Sequence, residues 1–161
     1  MGLLLSIIIQ IGPDDDAYRV LVAHLCQTPM LENIELIFSA TLPPPPDLDQ
    51  LVSPQIKVRW ITGTKGRAKQ MNRGAKAATG EKLWFLHSDS QFENSQIVQR
   101  VLEKIDKNDN SFFYFDLKFI ADGPNLMLLN QLGVWIRSHI LGLPFGDQAF
   151  LISRQLYWRL G

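Results

Sequence analysis

Residues 56–89 read IKVRWITGTKGRAKQMNRGAKAATGEKLWFLHSD, and their order decides the fold. Residues 56–62 form a β-branched and aromatic run suited to a strand. Residues 63–81 open with glycines, continue with helix formers and close near Gly80, a residue that commonly ends helices. Residues 82–87 return to a strand-like apolar run. Strand, helix and strand in succession make the βαβ unit, whose two strands run parallel.

The same alternation extends in both directions. Residues 3–9 are apolar apart from Ser6 and rich in leucine and isoleucine, as in a strand buried on both faces of a parallel sheet. Gly12-Pro13-Asp14 breaks that run, and DDDAYRVLVAHLCQ (residues 14–27) predicts a helix with acidic residues in its first turn. IELIFSA (residues 34–40) predicts a second strand. TLPPPPDLDQLVSP (residues 41–54) is a connection with room for one helical turn, since four successive prolines have no place in a central strand.

Downstream, ENSQIVQRVLEKIDKN (residues 93–108) is an amphipathic helix with Ile97, Val101 and Ile105 four apart. SFFYFDLKFI (residues 111–120) reads as a strand, residues 125–141 as a long helix, DQAFLISR (residues 147–154) as a last strand and RQLYWRL as the start of a helix. This predicts one Rossmann-like α/β domain, its sheet mostly parallel and covered by helices on both faces. No internal repeat and no domain-scale linker interrupts it.

Composition narrows the function classes. The chain has 161 residues, 46% hydrophobic, enough for one core, and a formal net charge of zero. Without a basic excess, nucleic acid is not an expected partner. The one cysteine, Cys26, excludes an intramolecular disulfide and a cysteine metal cluster, and reads as a buried inert thiol of a reducing compartment. The N-terminal MGLLLSIIIQIG lacks a basic leader and a cleavage site, so it reads as the first strand rather than a signal peptide. No uncharged apolar run is long enough to cross a bilayer. Residues 125–141 read first as a core-packed helix and second as one lying on a membrane surface. The expected location is the cytoplasm, peripheral to the inner membrane face in the second reading.

The chemistry-bearing residues gather after strands. Ligands of open α/β sheets bind outside the carboxyl ends of the strands, where His87-Ser88-Asp89 lies. In an extended segment His87 and Asp89 would point the same way and share one ligand or cation. Asp suits Mg2+ or Mn2+ and His suits Mn2+, with phosphate oxygens needed to complete the shell. By spacing alone the plainer reading leads: HSDS as a polar turn capping the next helix. Lys65, Arg67, Lys69, Arg73 and Lys76 surround a glycine-opened helix start, a place for an anion. Taken singly they read as a solvated helix face, and neither the P-loop order nor the dinucleotide glycine fingerprint is present.

Taken together, residues 66–92, GRAKQMNRGAKAATGEKLWFLHSDSQF, strongly resemble the family-2 glycosyltransferases of the GT-A fold. They are most similar to the subfamily reading Gly-Arg-Ala-x-Gln-Met-Asn-x-Gly-Ala, then Gly-Glu, then Phe-Leu-His-Ala-Asp-Thr. The resemblance continues in FDLKF and LGLPFGDQAFLISR. It implies a domain binding a nucleotide-diphosphate sugar, a UDP sugar first, with divalent Mg or Mn held by Asp89 and His87. Gln10, Asp14, Lys65, Arg67, Gln70, Asn72, His87 and Asp89 are the implied donor-binding residues, and inverting transfer to an unspecified acceptor is the implied activity.

Three departures accompany it. The family's Pro-x-x-Asn-Glu after the first strand reads Gln10-Ile11-Gly12-Pro13-Asp14 here. The Asp that ends the family's second strand is replaced by Ser39-Ala40-Thr41. The family's acidic catalytic-base segment would follow Gly161, so residues 1–161 are expected to form a donor-binding domain lacking it. Asp147 is then the candidate base, with ordering of its own turn as the alternative. The rival function is a catalytically inactive nucleotide- or partner-binding module, working with a second copy or with a complementing chain.

Overall fold

The computed structural model describes residues 5–27, 31–92, 94, 96–105, 112–115 and 149–160. In chain order the elements are β1 (Leu5–Ile11), α1 (Tyr18–Leu25), β2 (Ile34–Ala40), the single turn α2 (Leu48–Leu51) and β3 (Lys57–Thr62). They continue with α3 (Arg67–Ala77), β4 (Lys82–His87), α4 (Ile97–Lys104), β5 (Phe112–Phe113), β6 (Leu151–Ser153) and α5 (Arg154–Leu160). The strands form one sheet in the order β3-β2-β1-β4-β6-β5. β3, β2, β1 and β4 are mutually parallel, whereas β6 runs antiparallel to both β4 and β5. The mostly parallel α/β expectation therefore holds, with the antiparallel pairs confined to one side of the sheet.

Strand alternation divides the core. Leu5, Ile7, Ile9 and Ile11 of β1 face one layer with Tyr18, Leu21, Val22 and Leu25 of α1 and Val98, Val101 and Leu102 of α4. Ile8, Ile37, Leu83 and Phe85 face the other, under Ala75 and Ala78. Each fully buried aliphatic side chain contributes about 1.5–3 kcal/mol. Cys26 is half-buried at the margin of the first layer and carries a free thiol. Among the described residues no helix is long and apolar enough to cross a membrane.

Helix α3 lies close on β1 because Gly74 has no side chain: a Cβ there would sit 2.4 Å from Ile8 Cγ2. Ile8 is a buried, β-branched neighbour with little room to yield. Gly74→Ala is therefore expected to cost about 1–3 kcal/mol by overpacking, read as a lower denaturation midpoint.

Several boundaries differ from the sequence expectation. α1 starts at Tyr18, with no acidic residue in its first turn; Asp14, Asp15 and Asp16 belong to the loop before it. Asp14 takes a positive φ of 57° there. α3 ends at Ala77, not beside Gly80. Gly80 instead permits close approach, its absent Cβ falling 2.7 Å from the Ser6 backbone nitrogen. On α4 the buried side chains are Val98, Val101 and Leu102, with Ile97 and Ile105 partly covered. The helix expected over residues 125–141 lies outside the described residues.

At the amino ends of these strands Glu35 is fully buried. Its Oε1 accepts hydrogen bonds from Ser6 Oγ at 2.7 Å, Thr79 N at 2.6 Å and Thr79 Oγ1 at 2.9 Å. Burial alone would raise this carboxyl's pKa, but the Thr79 and Ser6 bonds and the Lys57 charge outweigh it and hold it below the usual glutamate value.

Candidate functional site

Because β1 to β4 are parallel, their carboxyl ends share one edge. Register places Gln10 between Ser39 and His87, and Ala40 beside Thr62. The loops leaving this edge carry Asp14–Asp16, residues 41–47, Lys65 with Arg67, and the His87–Ser90 turn. Arg67 and Asp89 thus lie at the same end of the sheet.

The family-like residues of α3 divide into two groups. Lys65 and Arg67 are exposed at the helix start. Gln70 is buried: its Nε2 donates to Ile11 O at 2.9 Å and to Ser39 O at 2.7 Å, and its Oε1 accepts from Gly66 N at 3.3 Å. Both amide protons are therefore occupied in holding the ends of β1 and β2 together. Arg73 does the same for the end of β2 and the loop after β3, donating from Nη2 to Ala40 O at 3.0 Å and from Nη1 to Thr64 O at 3.3 Å. Gly63 lies directly beneath it, and a Cβ there would fall 2.4 Å from Arg73 Nη1, so a larger residue would require the guanidinium to shift. Asn72 is exposed and accepts a 2.5 Å hydrogen bond from the Tyr157 hydroxyl of α5.

On the opposite flank an aromatic cluster supports the proline-rich connection. Tyr18, Phe38 and Trp60 pack ring against ring, with centroids 5.2–5.9 Å apart. Trp60 Nε1 donates to Leu42 O at 2.9 Å, so the connection is fastened over the ends of β2 and β3. Arg19 grips Asp47 through two nitrogens at 2.7 and 3.1 Å, which holds the Asp47 carboxyl below its ordinary pKa.

The His87–Asp89 geometry departs from the extended-strand argument. β4 ends at His87, and the next residues form a turn: Ser90 N donates to His87 O, and His87 N donates to Ser90 Oγ, each at 3.1 Å. The strand rule that would point His87 and Asp89 alike stops applying at His87. His87 is half-buried and Asp89 exposed. Ser88, between them, is buried and donates to Asp15 Oδ2 at 2.5 Å. Nothing local in the sequence announces Asp15 or Arg73 as organisers of this edge; their partners are 73 and 33 residues away.

Among the described residues no three His, Cys, Asp or Glu side chains converge as a metal cluster. The candidate base, Asp147, lies outside the described residues. A separate cavity of about 290 Å³ between α3, β4, β6 and α5 is lined by Met71, Phe85, Phe112, Phe150, Ile152, Tyr157 and Leu160. Among the described residues its lining carries no charged group.

The Glycosyl transferase family 2 profile matches residues 45–155, more than half of the chain. The chain belongs to glycosyltransferase family 2. No curated protein matches it in sequence. Solved structures share its fold. The mannosyltransferase PcManGT from Pyrobaculum calidifontis, in complex with GDP-Man and Mn2+, superposes with a TM-score of 0.69 at 14% identity, over 98% of this chain and 46% of that one. S. aureus TarS 1-349, in complex with UDP-GlcNAc, gives 0.65 at 16% identity, over 98% and 47%. Glucosyl-3-phosphoglycerate synthase from Mycobacterium tuberculosis, in complex with Mn2+, UDP and phosphoglyceric acid, gives 0.61 at 14%, over 96% and 57%. This family-2 chain therefore has the GT-A architecture and spans about half the length of those proteins.

Proposed function

We propose that this family-2 chain binds a nucleoside-diphosphate sugar, of the UDP class, at the carboxyl ends of β1 to β4 and serves inverting sugar transfer. The observation carrying the proposal is the juxtaposition of an exposed cationic helix start, Lys65 and Arg67, with the His87–Asp89 turn at one end of the sheet. Gln10 lies between them at the end of β1, and Asp14 is exposed on the adjoining loop. Gln70 acts here as a clamp on the strand ends, and Asn72 accepts the Tyr157 hydroxyl of α5.

Asp89 and His87 are the residues that would hold a divalent ion. One carboxylate and one imidazole suit Mn2+ and accept Mg2+, and diphosphate oxygens would complete the shell. Such an ion, when bound, offsets the charge of the departing diphosphate. Arg67 and Lys65 supply fixed positive charge to the same oxygens. The acceptor hydroxyl must lose its proton to a carboxylate, and Asp147 is the proposed acceptor of that proton. With Ser39-Ala40-Thr41 at the end of β2, no carboxylate there reads the nucleoside, so discrimination between UDP and GDP should be weak.

Calorimetry of UDP with the intact chain tests this. Mn2+ or Mg2+ should strengthen binding, and Asp89→Ala should remove that strengthening. Arg67→Ala should weaken binding by roughly ten- to a hundredfold, the worth of a charge-assisted hydrogen bond, with the metal still effective. Tight UDP binding indifferent to both metals would overturn the proposal.

A further inference from the structure

The residue with the least obvious purpose at this edge is Asp15. It is half-buried, and its carboxylate is committed on both oxygens. Oδ1 accepts from Ala17 N at 3.2 Å; Oδ2 accepts from Gly12 N at 3.4 Å and from Ser88 Oγ at 2.5 Å. The first two bonds shape its own loop. The third crosses to the turn after β4 and is the shortest of the three.

That turn has two fastenings. Ser90 closes it from within, meeting both backbone groups of His87. Ser88 ties it from outside to Asp15. The Ser88 hydroxyl is buried beside a carboxylate, where a charged acceptor makes a stronger bond than a neutral one. With Ser88 anchored inward, the next residue, Asp89, is left exposed on the outer side of the turn.

We infer that Asp15 is a positioning residue: through Ser88 it holds the His87–Ser90 turn in the conformation that presents Asp89 to the diphosphate and its metal. The inference rests on the donor-binding proposal above. It assigns Asp15 no contact with the donor. A displaced ligand by even about 1 Å can cost a hundredfold in a positioned site, so one buried tether is enough to matter.

Two readouts test it on the intact chain. Amide hydrogen exchange reports the turn without any ligand. Ser88→Ala should speed exchange at the Ser90 amide by roughly ten- to a hundredfold, the worth of a hydrogen bond to a charged group. Asp15→Ala should do the same and also loosen residues 12–17, and the double variant should speed the Ser90 amide no further. Calorimetry with UDP should then show metal-free affinity unchanged in Ser88→Ala, and the strengthening by Mn2+ reduced by about tenfold or more. Unchanged exchange in both single variants, or equal losses of affinity with and without Mn2+, would overturn the inference. A wild-type chain whose UDP binding ignores Mn2+, or an Asp89→Ala variant that keeps the Mn2+ effect, would instead overturn the donor-binding proposal, and the exchange result would still decide the tether.

Discussion

Glu35→Ala is expected to destabilise the chain by roughly 3–5 kcal/mol, the usual result of removing one partner from a buried charged network. Ser6 Oγ, Thr79 N and Thr79 Oγ1 all donate to one carboxylate oxygen, and Gly80 N reaches it at 3.3 Å. The other oxygen lies 3.7 Å from Lys57 Nζ and 3.8 Å from Arg59 Nε. Alanine removes the acceptor that these donors share and leaves a cavity where the carboxylate was. Urea denaturation at neutral pH measures the effect.

The same cluster predicts a pH dependence. Folding lowers the Glu35 pKa below the ordinary value of 4.5. A group depressed by folding contributes stability that is complete above its unfolded pKa and is lost as pH falls through its folded one. Stability should therefore decline progressively below about pH 4.5, and Glu35→Gln should flatten part of that decline. A wild-type slope retained in Glu35→Gln would show that other carboxylates carry it. The cluster also serves the site from the far end of β4. It pins the α3–β4 turn, and with it the register that sets His87 beside Gln10; a one-residue slip would turn every β4 side chain to the opposite face.

Much of this architecture is legible because periodicity is a local property. The isoleucine-rich β1 is buried at every position because both of its faces are covered, and the strand–helix–strand order of residues 56–87 makes β3 and β4 run the same way, each paired parallel to a neighbour between them. Where two structural roles ask for the same residue, sequence misleads. Gly80 suits a helix C-terminus and a tight backbone contact equally, and only the second occurs. Acidic residues before Tyr18 resemble a helix first turn, but Asp15 instead folds back and binds Ser88. The H-x-D spacing carried an alternation argument that needs extended backbone, and the turn at Ser88 removes it. Arg73 shows the same limit. A basic residue on an amphipathic helix reads as solvated until the carbonyl of Ala40, 33 residues away, and that of Thr64 are found against it.

Gln70→Ala should separate architecture from ligand contact, and its effect should be nearly as large as that of Glu35→Ala. Gln70 is 5% exposed and its amide bridges the carbonyls of Ile11, the last residue of β1, and Ser39, next to last in β2. Removing it leaves the buried carbonyls of Ile11 and Ser39 without this donor. Each unsatisfied buried group costs about 1–3 kcal/mol, so the total for the two should be roughly 2–6 kcal/mol. The two strand ends it joins carry the loop that follows Gln10 and the neighbouring connection after β2, so UDP affinity should fall together with the denaturation midpoint. Gln70→Glu is the sharper variant: it keeps the size but replaces the amide donor with an acceptor facing two carbonyl oxygens, and should be at least as harmful. Arg67→Ala, at an exposed position, should instead lower affinity and leave the midpoint within about 0.5 kcal/mol of wild type. If Gln70→Ala lost affinity while keeping full stability, the clamp assignment would fail, and Gln70 would belong with Arg67 among the donor contacts.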